Sequence, residues 1–528
     1  MKKVSACLFV LSFIFLFTAG MPVTGLGPVP ATVETITPGE LRMHLEFLAS
    51  DELGGRYTLA PNFAISARYL ATCLKAYGLR GMGDHGDFLQ HFDVSGYRPD
   101  TGNTSLILTH DSKTSSFEFG QVYPLPPTSS GAAQGKVVFV GYGISSPAQK
   151  HDDYAGLDVK GKIVLIASGT PEGVDADKLD DAEQDYGAAL AHGAAGILTV
   201  PSGQIALLVN DRGARERLAN RETIRLSGRN AAKLPRLVLS RDASRHMLAE
   251  AGLDADTLNE ITASGRPLRP KELRISAQMS SGLQERRITT QNVVGALEGT
   301  DPVLKDEYVV FSAHYDHLAT GSHGEIYHGA DDDGSGTSAV LAIARAMAMQ
   351  RPRRSVLIVF HAGEELGLLG SEYNTDIAPA VPLDKIVADL NIDMIGRSKP
   401  SGDREKADAH LSDARTIYLV GSDRISRELR DLSEATNGEF QKLHIDYYYD
   451  ERDNPDRIYY RSDHWNYAKH NIPVIFYFDG VHVDYHRPTD TVDKIDFDKL
   501  TNVTRLVFET GWRLANLDHR VGNNKAGN

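Results

Sequence analysis

Two textures of hydrophobic patterning divide the chain. Early on, apolar residues recur at helical spacing: Leu41, Leu45 and Leu48, then, past a break at Gly54-Gly55, Ile65, Tyr69, Leu70 and Leu74, closed by Gly78. From Asn292 onward the pattern changes to near-continuous apolar runs of strand length, at 308–313, 356–360, 386–392 and 474–478. A helix is predicted over 338–349, with Val340, Ile343, Ala344 and Met347 on one face. Continuous apolar strands alternating with helices predict an α/β fold: a mostly parallel central sheet covered by helices on both faces.

The stretch 118–270 has a different character. Short strands at 137–140 and 163–166 each follow a Gly-Lys turn, an Ala-rich helix is predicted over 188–195, and Gly196 leads into a strand at 197–200. This reads as a smaller inserted α/β module, with Pro267 and Pro270 at its exit and no His-carboxylate cluster inside it. Gly141-Tyr142-Gly143 lacks the third glycine of a dinucleotide fingerprint. The domain plan is a main domain in two parts, 35–117 and 271–520, interrupted by the insertion at 118–270 and followed by a disordered polar tail at 521–528.

Composition narrows the partners. With 528 residues, 41% hydrophobic and 24% charged, the chain is an ordinary globular protein with length for a large core. A net charge of −14 and the absence of any basic run exclude nucleic acid as a partner. The first 25 residues read as a signal peptide: Lys2 and Lys3, an apolar run over 4–17, then Thr18-Ala19-Gly20. That run is shorter than the ~20 residues that span a bilayer, so the expected location is secreted or periplasmic, without stable membrane insertion. Cys7 and Cys73 are the only cysteines. Leader removal leaves one thiol, so any metal site must use imidazole and carboxylate.

The candidate chemistry lies at strand ends, where open α/β sheets bind ligands. His314 follows the run 308–313, with Asp316 two residues on. Asp331-Asp332-Asp333-Gly334-Ser335-Gly336 precedes the predicted helix; Glu364-Glu365 follows 356–360, Asp393 follows 386–392, and His482, Asp484 and His486 follow 474–478. Any one of these is ordinary surface polarity; four converging on one sheet edge make a hydrolytic zinc site. Asp332 is placed to bridge two ions about 3.5–4 Å apart, with glycines behind it for a sharp turn and with Asp331 and Asp333 as caps or supports. One carboxylate of Glu364-Glu365 can bind metal while its neighbour faces water, and Asp316 is in reach to orient His314. His317, His323 and His328, in the long loop from His314 to Asp332, are expected to be solvated.

These pieces resemble the di-zinc exopeptidases of metallopeptidase family twenty-eight. Ala313-His314-Tyr315-Asp316, the run 329–336, the run 363–371, the run 391–396 and Tyr485-His486 follow that family's pattern in order, across about 38–115 and 275–515. The resemblance implies two Zn2+ ions per chain, with His314 and Glu365 on separate ions, Asp332 bridging, and Asp393 and His486 completing the set in a pairing left open. It implies Glu364 as general base, Tyr485 as stabiliser of the oxyanion, a cis peptide at Asp332-Asp333, and a protease-associated domain at 118–270. Peptides are the implied substrates and aminopeptidase action the implied activity. The alternatives are a carboxypeptidase or dipeptidase using Arg397 or Arg461, a one-zinc glutaminyl cyclase, and a binding protein with a dead site. Departures from the family are the long loop, Asp331 where many relatives have Asn, and Gly54-Gly55-Arg56 without the usual Gly-Thr after it. Ser462-Asp463-His464, also similar to a family segment, is read as supporting the site or facing substrate.

Overall fold

The structure, a computed structural model, describes residues 27–524 apart from 127, 229–232 and 255–257. The signal-peptide reading at 1–25 lies outside the described residues. The chain forms two compact units, one of residues up to 91 and from 291 onward, the other of residues 92–290.

In the first unit the elements that matter are α1 (Pro38–Leu48), α2 (Phe63–Ala76), the part from residue 291 of β1 (Leu283–Leu297), β2 (Tyr308–His314), α3 (Gly336–Met349), β3 (Ser355–His361), β4 (Ile386–Ile392), β5 (Thr416–Val420), α4 (Arg427–Glu439), β6 (His444–Asp446), β7 (Val474–Phe478) and α5 (Phe497–Asn516). Helix α1 starts where Thr37 Oγ1 accepts the Glu40 N–H at 3.3 Å and Pro38 presets the first turn. It buries Leu41, Leu45 and Leu48 as its spacing predicts. In α2 the packed face is Phe63, Ala67, Leu70 and Leu74, and Ile65 is left 51% exposed. Positions 63, 67, 70 and 74 share one face, from which Ile65 is turned well away.

The strand order is β1-β3-β2-β4-β7-β5-β6. Neighbours β3/β2, β2/β4 and β4/β7 run parallel, with His314 opposite His361 and Ser312 opposite Asn391. The flanking pairs β1/β3 and β7/β5 are antiparallel. The sheet is therefore mixed, with three parallel pairs at its centre and a further parallel pair, β5/β6, at its edge. One cause is chain length: residues 298–307 between β1 and β2 are too few for a crossover, so the chain reverses. Val310 joins a buried cluster with Tyr459 and Tyr467. Phe311, on the opposite face, meets α5 where a Cβ on Gly511 would fall 2.2 Å from Phe311 Cζ.

The second unit holds an eight-stranded mixed sheet. Gly131–Phe139, Ile163–Ala167, Gly196–Val200 and Arg236–Leu239 are its parallel strands, and Lys271–Ser281 pairs antiparallel with both Gly131–Phe139 and Ser105–His110. The Ala-rich helix spans Asp185–Ala191, earlier than its composition suggests. At the C-terminus, residues 521–524 of the expected tail are held in place: Asn524 donates its N–H to Ile425 O and accepts the Arg427 N–H, and Val521 is buried. Among the described residues, no helix is long and apolar enough to cross a membrane.

Candidate metal centre

Side chains from the ends of β2, β3, β4 and β7 converge around Asp332. His314 Nε2 lies 3.3 Å from Asp332 Oδ1 and 3.4 Å from Asp393 Oδ1. On the other side, His486 Nε2 is 3.1 Å from both Asp332 Oδ2 and Glu365 Oε2. His317 Nδ1 is 2.8 Å from Glu365 Oε1 and 3.6 Å from Asp332 Oδ2. Two sets, His314-Asp332-Asp393 and His317-Asp332-Glu365, are each compact enough to hold an ion, and they share Asp332. Asp393 thus lies with His314, and His486 with Glu365. Glu364 stands beside the first set, Oε2 3.9 Å from His314 Nε2.

His317 corrects the expectation of a solvated loop histidine: it is fully buried. His323 is exposed, and His328 bonds Asp51 at 2.8 Å near the surface. Contacts far from His317 in sequence draw it inward. Arg56 is buried and donates to four carbonyls: Leu48 and His328 at 2.6 Å, Gly329 at 2.8 Å and Tyr315 at 3.1 Å. Its own carbonyl accepts the His317 N–H at 3.2 Å. Gly55, with φ +87°, sits where a Cβ would be 2.4 Å from Leu318 O. The His317 ring lies against Gly329, where a Cβ would fall 2.5 Å from its Cγ.

The supports are equally specific. The Asp332-Asp333 peptide is cis. Asp490 Oδ2 accepts the N–H groups of Asp331 and Asp332 at 2.9 and 3.2 Å. Asp331 Oδ1 accepts Gly396 N–H, and Asp333 Oδ1 accepts Gly336 N–H at the start of α3 and Met394 N–H. Both act on backbone and lie outside the two ion sets. Asp316 contacts His314 Nδ1 through its main-chain carbonyl at 3.2 Å, its carboxylate standing 3.8 Å away. That carboxylate instead accepts Thr58 Oγ1–H and the Glu364 N–H, which fixes the turn carrying the two glutamates. Asn292 clamps the same turn, accepting Ala362 N–H at 3.0 Å and donating to Gly370 O at 2.9 Å. His482 and Asp484 stand away from the centre, against Asp331 and Arg397 respectively. Ser462 bonds Asn391, Asp463 is buried and His464 stacks on Phe476, so this segment faces the interior rather than substrate.

Titration behaviour reflects crowded negative charge. Burial alone would raise the Asp332 carboxyl, but His317, His314 and His486 hold it well below its ordinary range. Burial raises Glu364, and Glu365 and Asp393 push it further against the pull of His314. Burial would lower His486, yet Asp332 and Glu365 lift it to about 10. The carboxylates thus favour positive charge on His314 and His486, as a cation site does. Several buried atoms here make no hydrogen bond: both ring nitrogens of His317, Nε2 of His486, Oδ2 of Asp332 and Oε1 of Glu365. Orphaned polar atoms are rare in folded proteins, and these all belong to the residues on the Glu365 side of the centre. Imidazole nitrogen and carboxylate oxygen are donors that zinc accepts, so the residues fit the ions that the family resemblance implies.

A pocket opens beside Glu364 and Asp393, walled by Met394, Ile458, Phe476, Phe478 and Val481, with Tyr485 and Arg461 also lining it. Tyr485 stacks on His486 with ring centroids 3.8 Å apart and accepts a 3.4 Å hydrogen bond from Arg461. Burial first, then Asp332 and the two glutamates, raise its phenol well above the usual value. Arg397 is held by Asp484 at 2.8 Å and Asp490 at 3.6 Å.

The imidazole-carboxylate cluster thus stands at the parallel strand ends of an α/β sheet, where such sheets bind ligands. Residues 292–511 match the model of Peptidase family M28. A probable leucine aminopeptidase 2 of Aspergillus oryzae is 39% identical over 112 residues, 21% of this chain and 21% of its own length. A probable zinc metalloprotease of Pyricularia oryzae is 28% identical over 270 residues, 45% of this chain and 52% of the other. The chain therefore spans about half, or less, of the length of these relatives. Among solved structures, an aminopeptidase from Aneurinibacillus sp. strain AM-1 shares the fold with a TM-score of 0.54 at 20% identity, over 93% of this chain and 97% of that one.

Proposed function

We propose that the chain is a zinc-dependent aminopeptidase that uses two ions. The observation that carries this reading is the pair of ion-sized donor sets sharing Asp332 beside a pocket lined by Glu364. His314, Asp332 and Asp393 would hold one ion; Asp332, Glu365 and His486 would hold the other. Bound zinc supplies Lewis acidity toward the scissile carbonyl and the attacking water.

The chain's own groups do the rest. Glu364 Oε2 takes a proton from the attacking water and passes it to the leaving amine nitrogen. Its fixed backbone, held by Asp316, aims that carboxylate. Tyr485 keeps its proton, and because Arg461 already donates to its oxygen, the O–H is left to donate to the developing oxyanion. The apolar walls accept an apolar first side chain. Glu364 and Asp393 line the same pocket, a negative setting that suits a free α-ammonium and repels a carboxylate. The name of the Aspergillus oryzae relative points to the same activity. A second reading, carboxypeptidase or dipeptidase action, is favoured by one observation only, the Arg461 guanidinium at the pocket.

The leader reading at 1–25 supports export, and residues 118–270 serve as a non-catalytic protease-associated module; the two donor sets found among the described residues both lie in the first unit. The test of the catalytic reading is Glu364→Gln. It should lower kcat about 10²–10⁴-fold while zinc content stays at two per chain. Full activity in this variant would remove Glu364 from the mechanism.

A further inference from the structure

We propose that His317 is a fourth protein ligand to the ion held by Asp332, Glu365 and His486, so that the two ions occupy unequal cages. This rests on the two-ion reading above.

His317 is buried, neither of its ring nitrogens makes a hydrogen bond, and its Nδ1 points into the gap between Glu365 and Asp332, 2.8 and 3.6 Å away. The nearest atoms of His486 and Glu365 are orphaned in the same gap. A buried imidazole without partners is costly unless something binds it. The 2.8 Å approach does not meet the angular requirement of a hydrogen bond from the ring N–H to Glu365, which leaves a lone pair shared toward a cation as the use of Nδ1. The loop is shaped for this placement: Arg56 accepts the His317 N–H through its carbonyl, and Gly329 supplies the missing Cβ against which the ring lies.

The consequence is an asymmetry. The set around His314 offers one imidazole and two carboxylates and borders the pocket through Asp332 and Asp393. The set around His317, joined by His486 at 3.1 Å from both Asp332 and Glu365, offers two imidazoles and two carboxylates. Zinc with three protein ligands keeps a position for water or substrate, whereas four close the shell. The open cage therefore takes part in turnover, and the closed one anchors the second ion and orients the shared Asp332. Two imidazoles also bias the closed cage toward zinc over magnesium or manganese.

The experiment measures zinc in the full-length protein against graded chelator, for the wild type and for His317→Gln, together with the X-ray absorption fine structure of the zinc-loaded wild type. The expected result is two zinc ions per wild-type chain leaving in two phases, with three imidazoles shared between them. In His317→Gln the slow phase should accelerate about 100-fold, the upper end of what even an outer-shell partner of a metal ligand contributes. Two ions sharing only two imidazoles, or unchanged slow release in the variant, would overturn the role of His317 and leave the two-ion reading standing. A single zinc per wild-type chain would overturn that reading, and this inference with it. The absorption measurement needs no variant, so misfolding of His317→Gln would not shield the proposal.

Discussion

Replacing Arg56 by Met removes a guanidinium that is buried and bonded to the carbonyls of Leu48, Tyr315, His328 and Gly329. The thioether stem of Met fills similar space, so packing is nearly conserved and the loss is polar. Each hydrogen bond from a charged donor contributes roughly 1.5–3 kcal/mol, a gross sum of about 6–12 kcal/mol over the four. Releasing the buried guanidinium offsets several kcal/mol of that, and burial does depress its pKa. Breaking one side of a buried charged network costs about 3–5 kcal/mol net, because the carbonyls left behind stay buried and unpaired. Asp332, Asp333, Asp490 and Asp316 would also lose a nearby cation. In a large domain a loss of that size lowers Tm by roughly 10 °C. The assay is urea and thermal unfolding at fixed free zinc, with Arg56→Lys as a variant that keeps the charge but lacks the fork. Arg56→Lys should fall between wild type and Arg56→Met. A loss below about 1 kcal/mol in Arg56→Met would refute the idea that this side chain holds the loop 314–332 in place.

Three further outcomes follow from the same geometry. Tyr485→Phe removes an O–H aimed at the oxyanion while keeping the ring stacked on His486; kcat should fall about 10²–10³-fold with KM little changed, and an unchanged kcat would take Tyr485 out of the reaction. His464 is buried beside Phe476 and held neutral, its pKa lowered by burial to about 3. The unfolded chain binds its proton near pH 6.5 and the folded one does not, so His464 stabilises fully above pH 6.5 and loses about 1.4 kcal/mol per unit below it. Relative to His464→Phe, wild-type stability should therefore decline from pH 6.5 toward pH 4; parallel curves would count against a neutral buried imidazole. Gly329→Ala should impair both stability and zinc retention, because the new Cβ would meet Asp332 O at 2.3 Å and the His317 ring at 2.5 Å, and unchanged retention by chelator titration would contradict this.

How much of the centre is legible in the sequence follows from where each residue sits. His314, Glu364, Glu365 and Asp393 each come within a few residues of a continuous apolar strand, so strand ends alone bring them together. His486 lies farther from its strand, and Tyr485-His486 becomes visible through the family resemblance. His317 is not legible as a buried group, because its burial depends on Arg56, Gly55 and Gly329, which are remote or in a loop whose path no local pattern dictates. A weak signal was present: His317 is three residues past His314, close enough to return to the same site. Asp316 reads correctly as a neighbour of His314, but its carboxylate serves the Glu364 backbone, a contact 48 residues away. The direction of β1 escapes the apolar pattern too, since hydrophobicity does not distinguish parallel from antiparallel pairing. Ile65 illustrates the limit of counting apolar residues in a short helix, where the face that packs is set by Phe63 and Leu70 against the rest of the unit.

The central claim is that zinc and a free α-amine act together at this site. The most direct measurement compares hydrolysis of an aminoacyl anilide bearing an apolar first residue with that of its N-acetylated twin, in zinc-loaded, chelated and zinc-restored protein. The account predicts cleavage of the free-amine substrate alone, its loss on chelation and its return with zinc. Equal cleavage of the acetylated twin, or activity that survives complete removal of zinc, would contradict it.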